Sequence, residues 1–138
     1  MKRMDDRGFS LVELIIVIAI MAVLMGILAP QFLRHMETSR EQKDRSVFGE
    51  IERSARIACN LREVYDALPE GDTVVTIKNG EQVASDVEEL TAELRRTMPD
   101  TIYFVSKKYK NAGDQTLVIN VDIDKQLFLF TNSWDSVP

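Results

Sequence analysis

A single cysteine, Cys59, cannot close an internal disulfide, so this 138-residue chain is not a disulfide scaffold. A single histidine, His35, rules out a histidine-rich metal centre and makes a Ser-His-Asp hydrolase a poor fit. Positive charge is also short. With 17 Lys and Arg against 22 Asp and Glu, the net charge of −5 argues against broad nucleic-acid binding, which needs clustered basic residues. No pair of side chains has a spacing that suggests catalysis, and nothing in the sequence asks for a cofactor. The reading is therefore non-enzymatic.

What the chain does have is unevenly placed. A mean hydropathy of −0.12 describes an ordinary polar protein. Yet Phe9 to Pro30 contains one ionisable side chain, Glu13. A helix of about 20 residues rises about 30 Å, enough to cross the hydrocarbon core of a bilayer. Ahead of it, Lys2, Arg3 and Arg7 stand against Asp5 and Asp6. That small positive excess favours an N-terminus held in the cytoplasm, with everything after Pro30 on the far side. A plain secretory signal peptide has a shorter apolar region and a small-residue cleavage site, and it does not tolerate a carboxylate near its start. The segment is expected to stay in the mature protein.

Glu13 is the informative residue. A carboxylate at the centre of an isolated span costs about 2.5–3.5 kcal/mol, less near an interface, so it usually has a partner. Either it lies shallow enough to reach headgroups and water, or it pairs with a positive group on a neighbouring chain. The surrounding pattern is a charged leader ending in Gly8, then Phe9, then Ser10-Leu11-Val12-Glu13-Leu14, then the apolar run. It resembles the type III signal segment of type IV pilins and pseudopilins, closely over the first thirty residues and by pattern over the next thirty. The resemblance implies cleavage after Gly8 by a prepilin peptidase and N-methylation of Phe9. It also implies that Glu13 neutralises the amino terminus of an adjacent subunit. Physics supports that role: a buried carboxylate and ammonium attract strongly when paired and are costly apart, which favours one register. The implied partners are copies of the chain, minor pilins, the peptidase, and an inner-membrane assembly platform with its ATPase.

Pro30 lacks the N–H that would bond the carbonyl of Gly26, and it is expected to kink the helix. Gly26 lowers helix propensity in the same turn. In the family this region can unwind, which places any melting segment near Met21–Pro30. An ordinary proline-tolerant membrane helix is the alternative.

Apolar residues at three- and four-residue steps from Phe32 to Tyr65 predict one long interrupted helix from Phe9 to about Leu68. Pairs such as Glu41–Arg45, Glu52–Arg56 and Arg62–Asp66 support its exposed face. The polar interval from Glu37 to Ser46 suits contact with headgroups or water. The expected organisation is a cleaved leader (1–8), a membrane or filament-core helix (9–30), an amphipathic continuation (31–68) and a head (69–138). In the head, Thr73–Ile77 and Gln82–Val83 read as a hairpin around Asn79-Gly80. Ser85–Met98 reads as a helix with capping-box spacing at Ser85 and Glu88, stopped by Pro99. Thr101–Lys107, Gln115–Asp122 and Gln126–Thr131 read as a three-strand meander, joined by the loop Lys108–Asp114 and a turn at Ile123–Lys125. The fold class is α+β: a long N-terminal helix packed on a small antiparallel sheet. The resemblance implies the same layout, without the C-terminal disulfide of many Gram-negative pilins.

Other residues have plainer readings. Cys59 is a small buried residue, or else a reactive or intersubunit thiol. His35 is a solvated residue near the headgroups rather than a ligand. Asp114, Asp122 and Asp124 are turn acids; calcium is the alternative, although EF-hand spacing is absent. Lys107, Lys108 and Lys110 around Tyr109 form a solvated loop, with DNA contact as the alternative. Trp134 and Phe130 close a sheet edge. The leading function is a core pilin of an extracytoplasmic filament. A pseudopilin of type II secretion or competence is the alternative of the same class, and a single-pass anchored binding domain is the alternative of another class.

Overall fold

The computed structural model describes residues 9–98, 100–122 and 127–138, and these form two compact units that divide after Met36. The order is α1 (Leu11–Ala58), α2 (Arg62–Ala67), β1 (Gly71–Ile77), β2 (Ala84–Ser85), α3 (Glu88–Thr97), α4 (Lys107–Ala112), β3 (Gln115–Asp122) and β4 (Leu127–Asn132). A 3-10 turn follows at Trp134–Ser136. The class is α+β, a long N-terminal helix packed on a small antiparallel sheet.

The first unit is the N-terminal part of α1, and its side chains from Phe9 to Met36 are all exposed. Pro30 lies inside the helix. Helix α1 ends at Ala58, ten residues before the expected Leu68. Asn60 and Leu61 donate N–H groups to the carbonyls of Ile57 and Ala58, tightening the last turn, and the Asn60 amide donates to the Arg56 carbonyl at 2.6 Å. Helix α2 follows after this break, and its C-cap Leu68 precedes Pro69, which offers no N–H to extend it.

In the second unit the sheet order is β2-β1-β3-β4, antiparallel throughout. Period-two alternation turns Thr73, Val75 and Ile77 of β1 and Leu117, Ile119 and Val121 of β3 inward. They meet Phe48, Ile51, Ala55 and Ala58 on one stripe of α1. The predicted stripe Val87, Leu90, Leu94 and Met98 is buried, and the Ser54 hydroxyl donates to the Met98 sulfur at 3.5 Å. Phe48 is the hub of the aromatic core. It stacks on Trp134 at 4.9 Å and meets Tyr109 and Phe104 edge-on at 5.0 and 5.3 Å. Trp134 is therefore core rather than the cover of a sheet edge. Phe130 does stand on the edge strand β4, half-buried beneath the Arg56 guanidinium at 4.0 Å.

Several expected elements differ. The partner of β1 in the hairpin is Ala84–Ser85, not Gln82–Val83, so the connection is longer than a two-residue turn. Gly80, at φ +81°, donates instead to the Ile102 carbonyl at 2.7 Å, and the Asn79 side chain accepts from the Phe104 N–H. Ser85 does not cap α3: Val87 holds the N-cap position without a side-chain bond, because Ser85 is already paired with Val75 in the sheet. Pro99 and the Ile123–Lys125 turn lie outside the described residues. The meander is replaced. Residues 101–107 form no strand of the sheet, the place beside β3 is taken by β1, and the expected loop Lys108–Asp114 is largely helix α4.

The reason lies on α1. Asp44, only 1% exposed, accepts from the N–H of Val105 at 2.9 Å, the N–H of Ser106 at 2.8 Å and the Ser106 hydroxyl at 2.5 Å. Glu37 accepts from the N–H of Lys107. Carboxylates from the helix thus take the donors that a strand would have offered to a neighbour. The same contacts belong to the second unit, and within the polar interval Glu37–Ser46 only Asp44 is buried, while Thr38, Ser39, Arg40, Gln42, Lys43, Arg45 and Ser46 are exposed. Asp44→Ala leaves three donors without their acceptor and should destabilise the second unit by about 3 kcal/mol. Asp44→Asn keeps one oxygen and should lose about half as much. Urea unfolding of the detergent-solubilised chain measures both.

Candidate functional site

The candidate site is the start of α1. Leu11 opens the helix, and the Ser10 carbonyl accepts the first helical bond, from the N–H of Leu14 at 3.3 Å. Ser10 is therefore the N-cap and Glu13 the third helical residue. The Glu13 carboxylate accepts from the Ser10 N–H at 3.1 Å, and the Ser10 hydroxyl accepts from the Val12 N–H at 3.4 Å. The Glu13 carboxylate thus makes the return half of a capping box, while the Ser10 hydroxyl serves Val12 rather than the Glu13 N–H; neither half forms at Ser85. The signal for this cap is the Ser-x-x-Glu spacing of Ser10 and Glu13.

Phe9 is 86% exposed, and Gly8 lies outside the described residues. The apolar side chains from Leu11 to Leu33 are exposed on every side of the helix, including Ile16, Ile20, Val23 and Ile27. An 18-residue window of α1 has mean hydropathy 3.0, long and apolar enough to cross a membrane. A helix apolar all round belongs in lipid or inside a bundle. A Cβ placed on Gly26 would meet nothing within 4 Å, so no neighbouring group within the chain requires glycine there.

The remaining candidates do not join this site. His35 is exposed on α1. Lys107, Lys108 and Lys110 lie on α4, but Tyr109 between them is fully buried and offers no ring to a nucleic-acid base. Burial pushes its phenol above the usual range, although nearby Arg45 opposes the shift. Asp114 lies 3.8 Å from the Lys78 ammonium, and Asp124 is outside the described residues. Among the described residues no three His, Cys, Asp or Glu side chains gather to hold a metal ion.

These features have counterparts in known proteins. Residues 3–29 match the prokaryotic N-terminal methylation motif. Over 125 residues the chain is 30% identical to prepilin peptidase-dependent protein A of Clostridium perfringens, covering 89% of this chain and 81% of that protein. No solved structure matches. The chain belongs to the type IV pilin and pseudopilin family, whose members are structural, pilin-type proteins.

Cys59 is buried and free, and burial pushes its thiol up to about 11. The small-core-residue reading follows. At pH 8 the thiol should resist iodoacetamide in the folded chain and label fully in urea. Because the folded thiol ionises later than the unfolded one, its contribution to stability is lost as pH rises from about 9 toward 11. The fall should be smaller in Cys59→Ala.

Proposed function

We propose that the chain is a core structural subunit of a type IV pilus-like filament outside the cytoplasm. The observation that carries this reading is the pairing of Gly8-Phe9 and Glu13 with an apolar helix exposed on every side. A passive anchor needs apolar length, but it needs neither a carboxylate in its first turn nor a processing motif directly before it. The precursor is held in the membrane with its N-terminus in the cytoplasm. A prepilin peptidase cuts after Gly8, and Phe9 becomes the methylated N-terminus. The dependence named for the clostridial relative supports this step.

Assembly then moves the α1 helices from lipid into the centre of the filament, where their apolar surfaces cover one another. Glu13 faces the ammonium of Phe9 on a neighbouring copy. In a low dielectric the pair is favourable only when both members are present, so it fixes the stagger between subunits. Gly26 and Pro30 mark the stretch where α1 is weakest as a helix, and they allow local unwinding there. Copies of the chain, minor pilins, the peptidase and an inner-membrane platform driven by an ATPase are the partners. Removing the leader takes away three basic and two acidic residues, which leaves the mature surface more acidic.

Mass spectrometry of the chain purified from its host should find residues 9–138 with a methylated amine on Phe9. A retained leader in cells with an active peptidase would overturn the reading. Glu13→Ala should insert in the membrane as well as the native chain while filament yield falls about tenfold or more, the scale expected when one member of a buried ion pair is lost.

A further inference from the structure

The second unit carries charge of opposite sign on two separate patches, and the inference drawn from them rests on the filament reading above. We propose that the groove between α2 and α3 of one copy receives the α4 surface of another, a head-to-tail contact between copies of this chain.

The groove, of about 270 Å³, has Leu61, Val64 and Ala92 for its apolar lining and Glu63, Glu89 and Glu93 around them. Leu61 is 40% exposed, so the apolar lining is open to a partner. Glu93 is met by Arg96 at 3.6 Å, whereas Glu63 and Glu89 are exposed and make no ion pair among the described residues. Helix α4 is the complement. Lys107, Lys108 and Lys110 occupy a six-residue helix without an acid, and their ammonium groups make no ion pair among the described residues. Beside Lys107 and Lys108 lie Ala112, exposed, and Val137, half-buried, a small apolar surface that suits Leu61 and Ala92. Each patch is apolar with charge around it, and the signs are opposite, the pattern that steers two surfaces into one register.

The two patches do not meet within one chain. Asp44 holds Ser106, the residue before α4, whereas α2 follows the far end of α1 at Ala58. The fourteen residues of helix from Asp44 to Ala58 rise about 21 Å, and an ion pair needs its charged groups within about 4 Å. A second copy supplies the missing partner to either patch. Because the two surfaces differ, each contact leaves one of them open on each copy, so the contact repeats along a row instead of closing a pair. A few exposed ion pairs are weak and are screened by salt. They orient copies that apolar helices already hold together, and they do not drive assembly alone.

The test is zero-length carbodiimide cross-linking of the full-length chain on its host cells, read by gel electrophoresis and by mass spectrometry of the joined peptides. The reagent condenses a carboxylate with an amine only where the two touch. The native chain should give a ladder of dimers and longer species in which Glu63 or Glu89 is joined to Lys107, Lys108 or Lys110. Lys107→Glu combined with Lys108→Glu should cut the ladder about tenfold, because like charges then face each other. Adding Glu63→Lys and Glu89→Lys to that chain should restore the ladder, with the linkage reversed. Filaments without these linkages would overturn the proposal and leave the filament reading standing. A groove linked only to a different protein would overturn the proposal too. Linked copies in cells that make no filament would keep the docking contact and remove the filament reading, and the absence of both would remove both.

Discussion

Asp44 is an ionisable side chain on α1 with almost no exposure, and it is satisfied by three donors from a two-residue stretch of chain. Much of the second unit follows from that grip. It holds Val105 and Ser106 against the helix, which sets Ser106 as the N-cap of α4 and puts Tyr109 into the core beside Phe48. It also keeps residues 101–107 off the sheet, and β1 lies beside β3 with Val75 opposite Leu117. Hydrogen bonds to a buried charge are about twice as strong as neutral ones and tolerate little displacement. The helix is thus tied to the rest of the unit by directional bonds as well as by apolar packing.

Where local pattern decided the outcome, the sequence was readable. The stripe Val87, Leu90, Leu94 and Met98 and the strand Gln115–Asp122 depend on period and flanking residues, and both form where expected. Where a distant partner decides the outcome, local pattern misleads. Ile102, Phe104 and Ser106 are buried alternately, as in a strand, but their N–H groups go to the Glu81 carbonyl, the Asn79 side chain and the Asp44 carboxylate rather than to a neighbouring strand of the sheet. The polar interval Glu37–Ser46 is solvated apart from Asp44, and because an aspartate is rarely buried no local signal marks that residue as the exception. Trp134 was misplaced for the same reason, since its partner Phe48 lies in the first long helix.

The processing and assembly segment was legible because its chemistry is local. Gly8, Phe9 and Glu13 lie within six residues, and the apolar run that follows needs no tertiary context to be recognised. Two Ser-x-x-Glu spacings occur in the chain, and they show what such a signal is worth. At Ser10 the N–H pairs with the Glu13 carboxylate and the hydroxyl accepts from Val12. At Ser85 the residue is engaged by β1, and its hydroxyl serves Val87 and Thr91 instead. Spacing proposes a cap, and the sheet can veto it.

The stack of Trp134 on Phe48 sets an order of events in the life of the protein. Trp134 comes much later in the chain than Phe48, which belongs to the helix that is made first. Until β4 and Trp134 emerge, Phe48 and Tyr109 have an open face and β3 lacks its neighbour β4. Loop closure over so long a stretch is slow compared with helix formation. The N-terminal helix can therefore form while synthesis continues, but the second unit matures only after Trp134 has been made. A chain stalled before Trp134 would carry its exposed apolar helix ahead of an unfinished core, with Phe48 uncovered.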